Sequence, residues 1–237
     1  PQPGFGATYR ILTSTDERFR PVNLSNAPDG TLYIVDMYRG MIQHRDYITE
    51  YLRDQILSRN LELPLGHGRI YRIVHETTKP GRRAPAPPST PGELVARLSH
   101  PNGWWRDTAQ RLLVERGDMS VVPALKKIAA SAPDQTTRLH ALWTLDGLDS
   151  LDAGLVSKAL ADPARDVRVS AVRLAERWLS EPASPLQSAV LKLETDPDWA
   201  VRQQLAASLG SLPSGVVFEP DLAEPGHRGI DQGLARA

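Results

Sequence analysis

The sequence predicts a mixed, mainly α chain: a short β unit with one inserted helix, then an open-ended α-α solenoid. Three observations carry this. Two runs of β-branched and aromatic residues, TLYIVD at 31–36 and RIYRIV at 69–74, flank an amphipathic stretch at 47–61. A proline-dense segment at 76–91 separates them from everything downstream. Beyond it, a proline followed five residues later by an arginine recurs four times at nearly constant spacing.

The bulk numbers narrow the function classes. A chain of 237 residues can bury one large core or two modest ones. Lys plus Arg and Asp plus Glu both total 28, so no net field favours nucleic acid or an anionic membrane. No apolar run approaches the ~18 residues of a bilayer span. The sequence has no cysteine, which excludes disulfides, thiolate metal sites and a covalent haem attachment motif within it, while leaving the redox compartment open. It opens PQPGFGATYR, without Met or a charged-then-apolar leader; the expectation is a piece of something longer, with no signal peptide in it.

Residues 1–22 are punctuated by Gly, Pro and Thr, with one short strand expected at 7–12 (ATYRIL). The segment NAPDG at 26–30 is a turn with a mechanism: Pro28 presets φ, Asp29 bonds locally to the backbone, and Gly30 supplies positive φ. The strand at 31–36 is apolar on both faces, which predicts burial on both sides. A polar, aromatic loop with Gly40 as breaker follows, then a helix over 47–61 with Ile48, Tyr51, Leu52, Ile56 and Leu57 on one stripe, ended by Pro64. The strand at 69–74 completes a mainly β unit over 1–75. Two or three strands do not make a stable sheet protein alone, so the unit needs neighbours.

The linker at 76–91 has five prolines in sixteen residues and favours extended backbone. From residue 92 to 212 the pairs Pro101/Arg106, Pro133/Arg138, Pro163/Arg168 and Pro197/Arg202 recur. Three residues after the arginines stand Ala109, Ala141, Ala171 and Leu205; seven after stand Leu113, Leu145, Ala175 and Leu209. Further helical stretches lie between, at 121–130, 154–160 and 186–193. The pattern predicts about four two-helix repeats with proline at the turn before each second helix. The four arginines are expected to form a structural ladder, pairing with acidic side chains or helix-end carbonyls of adjacent repeats. Trp104, Trp105, Trp143, Trp178 and Trp199 are expected in core or groove wall. Residues 213–237 abandon the pattern and are expected to be irregular or disordered, or to cap the last repeat.

The densest chemistry follows the first strand: Asp36, Tyr38, Arg39, His44 and Arg45, with Asp46 and Tyr47 beside them. A carboxylate at a strand end followed by His and two Arg can line a pocket for an anionic or hydroxylated ligand. The same residues can equally be an ion-paired loop that packs the helix on the sheet. Glu50 and Asp54 sit one helical turn apart, where Arg53 and Arg45 neutralise them. His67, between two glycines, reads as a loop residue. The sequence contains no zinc spacing, phosphate-binding glycine loop or nucleophile elbow, and it predicts no metal site of its own.

Two resemblances add to this. Asp162-Pro163 with Val167-Arg168, and Asp196-Pro197 with Val201-Arg202, resemble short HEAT-like repeats; His100-Pro101 and Ala132-Pro133 depart from that pattern. The run NLSNAPDGTLYIVDMYRGMIQHR, then YLRDQI and GHGRIYRI, resembles the last part of the β-propeller in large secreted quinoprotein dehydrogenases of planctomycete and verrucomicrobium type, relatives of the glucose/sorbosone dehydrogenases. In those proteins the propeller is followed by HEAT-like repeats and often by a cytochrome c domain. The resemblance implies a partial propeller blade at 1–75 and a periplasmic or secreted setting. It implies a parent that oxidises a sugar or alcohol with pyrroloquinoline quinone and Ca²⁺, and no covalent haem in this segment. Implied partners are upstream blades, a downstream cytochrome c domain and a protein on the helical groove. About one blade is present, so this piece is expected to be inactive alone. A HEAT-type protein-binding module with a structural β cap is the other reading.

Overall fold

The computed structural model describes residues 12–77, 86–181 and 184–212, with Arg45 described by its backbone alone. Among the described residues the chain is mainly helical, with nine α-helices and one three-stranded antiparallel sheet. The chain divides into two compact units, one of Pro1–Pro87 with Pro101–Trp105, the other of Pro88–His100 with Arg106–Ala237. Residues 7–11 of the strand expected at 7–12 and the tail at 213–237 lie outside the described residues, as does the middle half of the proline-rich linker, 78–85.

In the first unit the strands are β1 (Pro21–Asn26), β2 (Leu32–Asp36) and β3 (Arg69–Ile73), in that spatial order. The register pairs Leu24 with Ile34 and Ile34 with Tyr71. The β1–β2 turn follows its sequence chemistry: Gly30 sits at φ 83°, its amide donates to Ala27 O at 3.0 Å, and Asp29 Oδ1 accepts from both Thr31 N and Thr31 Oγ1. Those bonds hold the Asp29 carboxyl below its usual range, the Thr31 hydroxyl first among them. Asn102 and Trp105 belong to this unit: Asn102 Nδ2 donates to Ala27 O at 2.8 Å and Trp105 Nε1 to Pro28 O at 3.0 Å.

Strand β1 is not legible in the sequence. All six of its residues are exposed, and it starts on a proline with an irregularity between Pro21 and Asn23, so no alternation marks it. In β2, Ile34 and Asp36 are buried while Tyr33 and Val35 are only half-buried, so the expected burial on both faces is not reached. The helix expected at 47–61 is shorter. A 3-10 turn at Arg45–Tyr47 precedes α1 (Glu50–Ser58), and the Thr49 hydroxyl accepts from Leu52 N as N-cap. Of its expected stripe only Ile56 is fully buried; Tyr51 and Leu57 are exposed.

The second unit, which takes α3 from Arg106 on, follows four consecutive helix pairs: α2 (Pro91–Arg97) with α3 (Gly103–Arg116), α4 (Val122–Ser131) with α5 (Gln135–Gly147), α6 (Ala153–Leu160) with α7 (Arg165–Leu179), and α8 (Pro185–Leu191) with α9 (Trp199–Ser208). Each repeat proline stands two residues ahead of its second helix, where its missing N–H costs nothing. A reciprocal capping box between Thr90 and Glu93 starts α2, and Asp134, Asp152 and Asp198 cap α5, α6 and α9. One continuous core runs through the array. Ala109, Ala141 and Ala171 at the small position and Leu113, Leu145 and Ala175 one turn on are at most 1% exposed. Trp105 is buried, and Trp143 and Trp178 pack against this core, but Trp199 is 65% exposed. Its expected place in core or groove wall is not met because it is the first residue of α9, a place where Gln135 of α5 and Arg165 of α7 are exposed as well.

Candidate functional site

The polar cluster after β2 is built around Asp36, which ends the strand and is 1% exposed. Its Oδ1 accepts from Arg20 N at 2.7 Å and from Tyr38 N at 2.9 Å, and its Oδ2 accepts from the Tyr71 hydroxyl at 3.4 Å. A buried carboxylate is tolerable only with such partners. Of the two sequence readings, a ligand wall or a loop that packs the sheet, these bonds match the second: the Asp36 oxygens fasten the segment before β1, the segment after β2, and β3.

Tyr38 is buried at φ 49°, a backbone region that costs a non-glycine residue on the order of 1–3 kcal/mol. Three contacts offset this. Its amide bonds Asp36, its hydroxyl donates to Asp16 Oδ2 at 2.8 Å, and the Arg69 guanidinium lies 3.6 Å over its ring. The Asp16 carboxyl is held below its usual range, first by the Arg18 amide and then by the Tyr38 hydroxyl. Tyr38 therefore serves as a linchpin between β2, β3 and the segment before β1, and its ring is not offered to solvent.

The remaining candidates do not join this knot. Arg39 is half-buried and makes no hydrogen bond or ion pair among the described residues. His44 is exposed; its Nδ1 accepts from Asp46 N at 3.4 Å and lies 3.6 Å from Asp46 Oδ2, so it caps the 3-10 turn. Arg45 contributes its backbone to that turn. A cleft of about 450 Å³ opens nearby, lined by Glu17, Arg20, Gly40, Gln43, Tyr51 and Arg59 among others, and none of the five candidates lines it. Arg59 there is already paired, to Glu17 at 2.7 Å and to Gln55 at 2.8 Å. The partners that define the knot, Asp16, Arg20, Arg69 and Tyr71, carry no local motif; only their convergence in space reveals them.

The four repeat arginines share one geometry. In each, Nη1 donates to the carbonyl that precedes its own repeat proline: Arg106 to His100 O at 2.6 Å, Arg138 to Ala132 O at 2.6 Å, Arg168 to Asp162 O at 2.9 Å, and Arg202 to Asp196 O. The carbonyl is thus one of the same repeat, not of the neighbour. The other edge of the guanidinium reaches forward. Arg138 Nε and Nη2 both bond Asp162 at 2.8 Å, and Arg168 takes Asp196 at 2.7 and 2.9 Å. Asp162 and Asp196 also accept from Ala164 N and Asp198 N, so one carboxylate shapes its own turn and receives the previous repeat. Hydrogen bonding from Arg168 holds the Asp196 carboxyl below its usual range.

The first rung differs because Ala132 stands where the later repeats have Asp. Arg106 Nε turns to His140 Nε2 at 3.3 Å, and His140 Nδ1 lies 2.7 Å from Gln110 Oε1. An acceptor at Nε2 and a donor at Nδ1 describe the neutral ring. Burial lowers the His140 pKa first; Asp107, whose Oδ1 is 3.9 Å from Nε2, opposes it, and Arg106 adds to it.

A calcium-assisted quinone site would need roughly six to eight oxygen donors around the ion. Among the described residues no group of three or more His, Asp or Glu side chains could hold a metal ion, and the oxygens of Asp36 already serve the fold. The described residues do not by themselves fit that cofactor pair. No described helix is long and apolar enough to cross a membrane.

Residues 6–77 match the family model of a domain of unknown function, DUF7133. No curated protein matches the chain.

Proposed function

We propose that this chain is the closing part of a quinoprotein-type β-propeller joined to a HEAT-like scaffold, and that it supports an oxidoreductase without being catalytic alone. The observation that carries this reading is the open sheet. Among the described residues three strands stand where a propeller blade has four, and β1, which exposes Val22 and Leu24, has one strand neighbour there. Such an edge calls for covering strands. The NAPDGTLYIVDMYRG run and the repeated Asp-Pro turns with their forward-reaching arginines support the same reading. On it, the parent oxidises a sugar or alcohol in a periplasmic or secreted setting. Pyrroloquinoline quinone with Ca²⁺, held by other blades of the parent, would supply the hydride acceptor, and a cytochrome c domain would take the electrons. Residues 12–77 contribute one wall, held rigid by Asp36 and Tyr38. Arg39, the one cationic candidate without a partner among the described residues, is the residue most open to a ligand held by other blades.

The test is a titration with pyrroloquinoline quinone and Ca²⁺ of this chain alone, and of this chain joined to whatever its gene encodes ahead of Pro1, read by quinone absorbance. A spectral response in the longer protein alone supports the reading. A response of equal strength in the shorter protein refutes it.

A second reading, a protein-binding module with a structural β cap, is favoured by the uncovered outer face of α9, where Trp199 is 65% exposed.

A further inference from the structure

Four residues of α9, Trp199, Arg202, Gln203 and Ala206, fall at i, i+3, i+4 and i+7, share one face, and are all exposed. In the inner repeats α5 packs on α7, and α7 on α9. There the positions equivalent to Ala206 are Leu142 and Val172, both 0% exposed. Where Leu139 and Val169 stand in the inner repeats, α9 has Gln203. The face of α9 is thus smaller and more polar than those of α5 and α7, as is that of α3, which has Asp107 and Gln110 at these positions. It nevertheless keeps the arginine. Arg202 Nη1 bonds Asp196 O as its counterparts do, while Nε and Nη2, the edge with which Arg138 and Arg168 hold a carboxylate, have no partner among the described residues.

We infer that the outer face of α9 is a docking site for an acid–proline segment of another protein. The array itself supplies the template: both carboxylates gripped by this fork, Asp162 and Asp196, directly precede a proline. Beside the fork, the exposed Trp199 ring offers an aromatic surface of the kind on which proline rings pack. A planar, bidentate donor selects a carboxylate over a neutral amide. A second copy stacked head to tail does not meet this requirement, because the residue before the first repeat proline, Pro101, is His100. The inference is independent of the propeller reading.

The test uses the full, isotopically labelled chain and a peptide of sequence ALADPARD, which copies residues 159–166. Nuclear magnetic resonance follows Arg202 Nε–H and Trp199 Nε1–H up to millimolar peptide. Both resonances are expected to move, with affinity at least about tenfold weaker for the peptide carrying Asp162→Asn and for protein carrying Arg202→Lys, whose cation lacks the fork. Absence of any shift overturns the inference, as does equal affinity for the Asn peptide. If the Arg202→Lys protein does not fold, the Asn peptide decides alone. Glu219-Pro220 and Glu224-Pro225 carry the same chemistry in this chain, so the titration is repeated without residues 213–237. Binding that appears only then assigns the face to the chain's own segment and overturns the partner.

Discussion

Arg168 holds Asp196 with two parallel hydrogen bonds, Nε to Oδ2 at 2.7 Å and Nη2 to Oδ1 at 2.9 Å. The carboxylate is nearly enclosed, with 4% of its side chain exposed, and it lies in the next helix pair. The bond therefore joins adjacent repeats, beside their apolar packing and the Ser208–Glu176 hydrogen bond, and it fixes their register by geometry as well as by area.

Breaking it leaves a buried charge without its partner. Arg168→Gln is expected to destabilise the array by about 2–3 kcal/mol in urea unfolding, and Arg168→Lys by less, since a point charge remains. The Asp196 carboxyl is depressed in the folded state. Its contribution is complete above the ordinary value of 3.8 and is lost as pH falls through the lower folded value. Asp196→Asn should flatten that acid limb; an unchanged limb contradicts the assignment.

The first rung responds at milder pH. His140 is folded as a neutral ring with its pKa below 6.5, so the unfolded chain binds more protons in the interval between the two values. Stability is full above about 6.5 and declines as pH drops toward the folded value. The urea midpoint should fall between about pH 7.5 and 5.5 in the parent chain, and fall less in His140→Gln. An equal fall in both would mean another group controls it.

Asp36→Ala is expected to unfold the β unit. It strips the amides of Arg20 and Tyr38 of their acceptor, and each stranded buried donor costs about 1–3 kcal/mol. Loss of near-ultraviolet circular dichroism and of the β2–β3 amide protection would follow. A stable Asp36→Ala sheet would instead release this residue for a role toward ligand.

Two glycines make opposite predictions. A Cβ at Gly40 would lie 2.6 Å from Leu61 Cβ and against its backbone, so Gly40→Ala should cost about 1–3 kcal/mol. Gly92, inside α2, has open space around it, and Gly92→Ala should gain about 0.5–1 kcal/mol. Thermal unfolding of both variants checks the pair.

The helical array is legible because its signals are local. Pro133 and Pro163 mark the approach to α5 and α7, and Ala141 and Ala171 follow at helical spacing into the core. The turn at Pro28–Gly30 is legible for the same reason. What sequence does not disclose depends on position in space. Strand β1 has no buried face to write an alternation, and Tyr47 falls within the periodic stretch although the Thr49 cap begins the helix later. The cluster that reads as a pocket wall separates into a buried knot at Asp36 and Tyr38 and an exposed turn at His44, because Asp16 and Tyr71 lie far off in sequence. Trp199 stands exposed because it is the first residue of α9, and Gln135 and Arg165 at the same place in α5 and α7 are exposed too.

The most direct test of the proposal that this sheet is one edge of a larger β assembly is amide hydrogen exchange along β1. The measurement compares the chain alone with the chain joined to whatever its gene encodes ahead of Pro1. The β1 amides not bonded to β2 are expected to exchange fast in the first and to become strongly protected in the second. Equal exchange in both would contradict the proposal.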